Sequence, residues 1–272
     1  MNSKVVLITG ASAGIGKATA EYLVSKNWIV YGTSRQSLSE NFSFRWLQMD
    51  VTNQEMIEKG IETIIDQVGR LDILINNAGL GINGPLEDLP KRNIEQVFET
   101  NLFGTIGTIK AALPHMRKQK NGLIINISSI AGLVGLPYRT IYCASKFGVE
   151  GLTEALRMEL KKFNIHVCSL QPGSISTEIK KRRLSFISEL SAYQPEIGRV
   201  NALTNTHVEG GLPAEKVAQA IYRICTARVI RPKYRVAKSL ESAVPFIKKW
   251  LPFSLFEKIL MRHYKMDSKV NV

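Results

Sequence analysis

Residues 4–16 read KVVLITGASAGIG. Val5, Val6, Leu7 and Ile8 form an unbroken apolar run, and Gly10, Gly14 and Gly16 follow almost at once. Such a run, bounded by turn residues, fits a short strand buried on both faces. Beyond it, residues 15–26 carry apolar positions at helical spacing. Glycine lets the chain turn sharply and brings backbone amides close to a ligand. A strand passing through that turn into a helix therefore makes a cradle for a pyrophosphate at the helix amino terminus. The spacing G-x-x-x-G-x-G departs from the commoner G-x-G-x-x-G, so the turn alone fits a ligand cradle or a plain tight turn.

The same alternation continues outward. Apolar runs at 28–33, 71–75, 122–128 and 165–170, with a weaker one at 44–49, predict further strands. Between them 53–68, 93–119 and 141–162 carry helix-period apolar residues. This rhythm predicts an α/β fold: a doubly wound, Rossmann-type parallel sheet in three layers, with ligand sites at the carboxyl ends of the strands. No repeat, linker or low-complexity segment interrupts it, so residues 1–272 are read as one domain. Within it, 174–212 is read as a substrate lid and 239–272 as a basic, apolar carboxyl-terminal extension.

Composition narrows the class. Apolar residues make up 44% and charged residues 22%, which suits a soluble globular protein. No apolar run approaches the roughly 20 residues needed to span a bilayer. The start, MNSKVVLITG, lacks a secretory leader pattern. Cys143, Cys168 and Cys225 show no metal-type pairing and read as reduced thiols of a cytoplasmic protein. No metal is expected. The net charge of +13 is concentrated late: from Arg228 onward eleven basic residues face three acidic ones, a net of +8. Such a tail attracts an acidic partner.

Two constellations carry chemistry. The second strand ends Gly32-Thr33-Ser34-Arg35, where an NAD enzyme usually places Asp or Glu against the adenosine ribose. A hydroxyl and a guanidinium suit a 2′-phosphate instead, so Ser34 and Arg35 favour NADP(H) over NAD. Farther on, Tyr142 and Lys146 stand at i and i+4, on one face of a helix. An ammonium beside a phenol favours the phenolate and makes a workable acid/base. Ser129 follows the strand at 122–128, where its hydroxyl could hold a substrate oxygen. A Tyr–Lys pair on its own is more often a solvated surface pair.

Together these motifs resemble the classical short-chain dehydrogenase/reductase family over about residues 4–178. The turn Thr9-Gly10 to Gly14-Ile15-Gly16 matches TGxxxGIG, and Asp50-Val51 matches the pair that flanks the adenine. Asn76-Asn77-Ala78-Gly79 matches NNAG, and Asn101 stands on the following helix. Ser129, Tyr142-x-x-x-Lys146 and Pro172-Gly173 to Thr177 complete the set in family order. The resemblance implies that Tyr142 exchanges the substrate proton, that Ser129 holds the oxygen, and that Lys146 tunes Tyr142 and binds the nicotinamide ribose. It implies a proton-relaying water on Asn101. It further implies cofactor contacts from Gly10, Ser12, Gly14, Ile15, Gly16, Ser34, Arg35, Asp50, Val51, Asn77, Ala78, Gly79, Pro172, Gly173 and Thr177, and a homo-oligomer, dimer or tetramer.

The variable parts point to substrate and partner. Lys180 to Arg183 open the lid region and fit either a solvated face or an anion contact. In the extension, Trp250, Leu251, Phe253, Leu255, Phe256, Ile259, Leu260 and Met261 lie among Lys248, Lys249, Lys258 and Arg262. That mixture fits peripheral contact with an anionic membrane, a cover for the substrate pocket, or a partner subunit. Pro245 and Pro252 are expected to break it into short pieces. Similar extensions in hydroxysteroid- and retinol-dehydrogenase-like enzymes imply an apolar ketone, aldehyde or alcohol as substrate. Two rivals stand beside this reading. One is a 3-oxoacyl-(carrier protein) reductase, and the other is a catalytically quiet NADP(H)-binding regulator or scaffold. Nucleic acid is not expected as a partner, because the tail carries no recognised motif.

Overall fold

The computed structural model describes residues 3–36, 42–178, 182–187, 189 and 191–266. Seven strands form the central sheet: β1 Val5–Ile8, β2 Ile29–Ser34, β3 Arg45–Gln48, β4 Ile73–Asn76, β6 Gly122–Ile127, β7 Ile165–Pro172 and β11 Lys233–Val236. Their order is β3-β2-β1-β4-β6-β7-β11, and every neighbouring pair is parallel. The chain winds one way from β1 to β3 and the other way from β4 to β11. The crevice between β1 and β4 is therefore the switch point at which such sheets bind ligands.

Helices cover both faces: α1 Gly14–Val24, α2 Gln54–Val68, α3 Lys91–Phe98, α4 Gly104–Gln119 and α5 Thr140–Glu159, then α6 Glu196–Glu209 and α7 Ala214–Cys225. Side chains alternate across a strand, and β1 shows the result. Val6 and Ile8 pack with Ala20 and Leu23 of α1 and with Val217, Ile221 and Ile224 of α7. Val5 and Leu7 pack on the other side with Ile57, Ile61 and Ile64 of α2 and Ile109 and Ala112 of α4. Each fully buried aliphatic side chain contributes roughly 1.5–3 kcal/mol, so β1 is the spine of both layers.

Three expectations change. The helical stretch at 93–119 is α3 and α4 joined without a break by a π-helical turn, Glu99–Phe103. The lid region is not only loop, since α6 occupies fourteen of its residues. Pro245 does not break the extension. It lies inside α8 Ser239–Trp250, and only Pro252 separates α8 from α9 Phe253–His263. Two side-chain anchors hold α8 on the body of the fold and offset the one backbone bond that Pro245 removes. Glu241 accepts from the Ser174 amide (3.1 Å), and Lys248 Nζ donates to the Leu133 carbonyl (2.8 Å). Four two-residue strands complete the fold: β5 Ile82–Asn83 pairs with β9 Leu184–Ser185, and β8 Ile175–Ser176 pairs with β10 Leu212–Pro213.

Candidate active site

The glycine turn lies at the carboxyl end of β1 and is tied to the end of β4. Gly10 and Gly14 take φ of +68° and +56°, where a side chain would be strained. The Thr9 hydroxyl accepts from the Asn77 and Ala78 amides (both 3.0 Å). Asn77 Nδ2 donates back to the Thr9 and Gly10 carbonyls (2.9 and 3.0 Å). A Cβ on Gly16 would stand 2.4 Å from the Gly10 carbonyl and 2.5 Å from Asn77 Nδ2. Ile15, between the two glycines, packs against the core. Ala13 caps α1 with no side-chain hydrogen bond, and no acid occupies the first turn. The positive end of α1 thus carries no anion of its own, and its glycine surface leaves room for one. A dinucleotide pyrophosphate fits that donor set.

The residues expected to meet the adenosine lie where β2 and β3 stop. Ser34 closes β2, and its hydroxyl donates to the Gln36 carbonyl (3.1 Å). Arg35 follows with its side chain exposed and its carbonyl held by Gln48 Nε2 (3.1 Å). Asp50 accepts from the Thr52 amide and hydroxyl (2.9 Å each), and Val51 is buried against Gly104 of α4. No carboxylate stands between Ile29 and Gln36.

The chemical end is a buried polar stripe on α5. Tyr142, Lys146, Glu150 and Thr153 recur every three or four residues, and all are buried. The Tyr–Lys pair is therefore not a solvated surface pair. Lys146 Nζ donates to the Ile127 carbonyl at the end of β6 (2.8 Å) and lies 6.0 Å from the centre of the Tyr142 ring. Burial pushes the Lys146 ammonium down from the usual lysine value, while Tyr142 and Glu150 pull it up. Glu150 is in turn bonded by Ser169 (3.0 Å) and Gln171 (3.1 Å), and Thr153 accepts from Asn126 (2.9 Å).

Ser129 follows β6, and its hydroxyl oxygen accepts from the Ala131 amide (3.1 Å), so its own proton can be given to another oxygen. Asn101 sits in the π-helical turn with its amide fully engaged. It accepts from Leu80 N (2.7 Å) and donates to Leu80 O (3.0 Å) and Ser145 Oγ (2.9 Å). Its main-chain carbonyl accepts from Thr105 Oγ1 (2.9 Å). A Cβ on Gly79 would lie 3.3 Å from Asn101 Oδ1 and 3.6 Å from Lys146 Nζ, which places NNAG, Asn101 and Lys146 side by side.

Pro172 closes β7, and the Gly173 amide donates to the Val236 carbonyl (2.9 Å). Thr177 reaches across to the glycine turn, its Cγ2 3.3 Å from where a Cβ on Gly14 would stand. Sequence reasoning missed three residues here. Glu241 lies against Gly173, where a Cβ would meet Oε2 at 2.3 Å. The Arg139 guanidinium stacks on the Tyr142 ring at 4.5 Å, and Ser145 donates to the Tyr142 carbonyl (2.8 Å). An Arg three residues before a helical Tyr was the available signal for Arg139. Glu241 had none, because it stands 67 residues from the Ser174 amide it accepts from.

The segment expected to be a lid contacts the glycine turn and the wall around Tyr142. Arg182 Nη1 donates to Ser12 Oγ in the glycine turn (3.3 Å). Arg183 is half-buried and donates to Asn205 Oδ1 (3.1 Å). Burial and then the charge of Arg139 bring its guanidinium down to about 10, with Tyr142 acting in the opposite sense. Lys180 and Lys181 lie outside the described residues. Leu184 and Phe186 of the lid pack with Leu80, Ile82, Leu89, Val97, Ala131 and Cys143 around Tyr142, an apolar wall beside the phenol.

Known proteins are similar to this chain. The family model described as short chain dehydrogenase matches residues 4–187. A 3-ketodihydrosphingosine reductase of Bacteroides thetaiotaomicron is 39% identical, over 97% of this chain and 99% of its own. Human retinol dehydrogenase 8 is 35% identical over 71% of this chain and 66% of its own. The structure of ElxO with NADP bound is 31% identical and superposes with a TM-score of 0.70, over 86% of this chain and 97% of that one. The chain belongs to the short-chain dehydrogenase family and is an oxidoreductase of that family.

Proposed function

We propose that this oxidoreductase reduces the carbonyl of an apolar, lipid-like ketone with NADPH, and that Tyr142 gives the proton. The observation that carries the proposal is the buried Tyr142–Lys146 stripe opening onto a wall of aliphatic and aromatic side chains. The glycine turn would hold the pyrophosphate of NADPH, whose chemistry when bound would be hydride donation. The chain's own residues do the rest. Ser129 donates to the carbonyl oxygen as negative charge grows there. Tyr142 transfers its proton to that oxygen, and Lys146, placed by the Ile127 carbonyl, favours the phenolate left behind. A water on the Asn101 carbonyl returns a proton toward Lys146. The lid residues Leu184 and Phe186 exclude bulk water from the carbonyl.

One relative matched along almost the whole chain is named as a 3-ketodihydrosphingosine reductase, so 3-keto sphingoid bases are the first ketones to assay. Turnover of these with NADPH supports the reading. Turnover confined to 3-oxoacyl groups on an acidic carrier would replace it. Binding of NADPH with no ketone reduced across apolar ketones would favour the regulator.

Selection of NADPH rests on Arg35. Its guanidinium is exposed just past the end of β2, and residues 29–36 contain no Asp or Glu. Arg35→Ala is expected to weaken NADPH by roughly tenfold or more, the worth of a charge-assisted hydrogen bond, with little change for NADH. Titration by nicotinamide fluorescence measures both, and equal losses would remove the assignment. Homo-oligomerisation belongs to the same reading, with exposed Phe147 and Met158 of α5 as the contact.

A further inference from the structure

The carboxyl-terminal extension has two different faces. Its inner face is committed to the fold: Glu241 to the Ser174 amide, Lys248 to the Leu133 carbonyl, and buried Phe256 and Tyr264. His263 of α9 stacks on His207 of α6 with ring centres 5.2 Å apart, which ties the extension to the lid. The outer face is apolar. On α8, Leu240, Phe246, Ile247 and Trp250 fall within one arc of about 120° at 3.6 residues per turn. Their exposures are 81, 64, 38 and 70%. Phe253 adds another ring, 69% exposed, at the start of α9. Leu255, Lys258, Ile259 and Arg262, at i, i+3, i+4 and i+7, share the outer face of α9, and all are exposed. Lys249 flanks the arc on α8.

Monomeric proteins seldom leave so many large apolar side chains together in water. A second copy of the chain would set this face, with Lys249 and Lys258, against an equally basic face, which opposes self-association. An anionic surface meets both requirements, taking up the rings and the cations together. No described helix is long and apolar enough to cross a membrane, so the contact is peripheral.

We propose that the outer face of α8 and α9 docks on an anionic lipid bilayer, and that the docked enzyme draws its ketone from that bilayer. The anchors explain the second half. Ser174 follows Pro172-Gly173 and Leu133 follows the segment that opens at Ser129, so the docked helices border the mouth of the crevice. The loading step rests on the carbonyl-reductase reading, whereas docking does not.

The test uses the full chain with vesicles of phosphatidylcholine, alone or with phosphatidylglycerol. Expected is co-sedimentation with the anionic vesicles at least about tenfold stronger than with neutral ones, weakened by salt, together with a blue shift of tryptophan emission. Phe246→Glu with Trp250→Glu should abolish sedimentation while NADPH affinity, and turnover of a water-soluble ketone, stay at wild-type levels. Lys249→Glu with Lys258→Glu should lose only the preference for anionic lipid. In the first variant, turnover of a vesicle-embedded ketone should fall at least about tenfold. No binding to anionic vesicles at low salt would overturn docking, as would undiminished binding by the double-glutamate variant. So would a wild-type dimer that this variant dissociates. Docking without loss of embedded-ketone turnover would overturn loading alone. Failure to reduce either ketone would count against the proposed function and leave docking standing.

Discussion

Replacing Tyr142 with Phe is expected to lower kcat by at least about a hundredfold while leaving NADPH binding intact. The substitution removes one hydroxyl and keeps the ring. That ring packs with Ile82, Leu89 and Cys143, and it carries the Arg139 guanidinium on its face. None of these contacts uses the oxygen. Lys146 keeps its bond to the Ile127 carbonyl, so the ammonium does not move when the phenol is lost. The variant should therefore melt close to the wild type, and nicotinamide fluorescence should titrate at the wild-type concentration. What disappears is the proton for the substrate oxygen, together with the phenolate that Lys146 favours. Steady-state oxidation of NADPH against an apolar ketone measures the loss. A variant retaining most of its kcat would assign the proton to another group and end the mechanism proposed above.

Gly16→Ala should be the most damaging single methyl group in the cofactor end. Its Cβ would lie 2.4 Å from the Gly10 carbonyl and 2.5 Å from Asn77 Nδ2, well inside van der Waals contact. Neither neighbour is at liberty to retreat, because they are bonded to each other at 3.0 Å and Asn77 is also bonded to Thr9. Making room means separating the ends of β1 and β4 or dragging the amino terminus of α1 outward. Overpacking of this kind costs about 1–3 kcal/mol in stability. Because the displaced amides are those proposed to hold the pyrophosphate, NADPH affinity should fall by roughly ten- to a hundredfold as well. Gly135→Ala is the matched control, since no atom lies within 4 Å of its Cβ position. Thermal melting and cofactor titration read the two effects separately. An unchanged affinity in Gly16→Ala would show that the turn is not the phosphate cradle.

The parts of the fold legible in the sequence share one property: their side chains are buried on both sides. β1, β4 and β6 read as apolar runs because helices cover each face of the sheet. β11 escaped notice for the opposite reason. It is one of the two edge strands, its sequence KYRV alternates charged and apolar residues, and Lys233 and Arg235 merge into the basic tail. α7 is amphipathic, yet it follows a region read wholly as lid, and nothing local separates the two. The site divides similarly. Tyr142 and Lys146 are one helical turn apart and could be placed on a common face from spacing alone. Glu241 against Gly173, or Arg183 beside Arg139, comes from chain segments far apart, and no periodicity relates them.

The π-helical turn at Glu99–Phe103 has a consequence for how this enzyme can change its length. An α-helix rotates by about 100° per residue, and a π-turn holds one residue more than an α-turn. The segments on either side are thus clocked independently. Upstream, Val97 points into the cluster around Tyr142. Downstream, Gly104 and Gly107 meet Val51 and Ile57. Asn101 stands at the seam with its amide turned to Leu80 and Ser145. Deleting one residue here would give a more regular helix and a misphased enzyme, because no single rotation satisfies both ends. This stretch should tolerate many substitutions on its outer side but no change in residue number, a constraint visible only in the winding of the backbone.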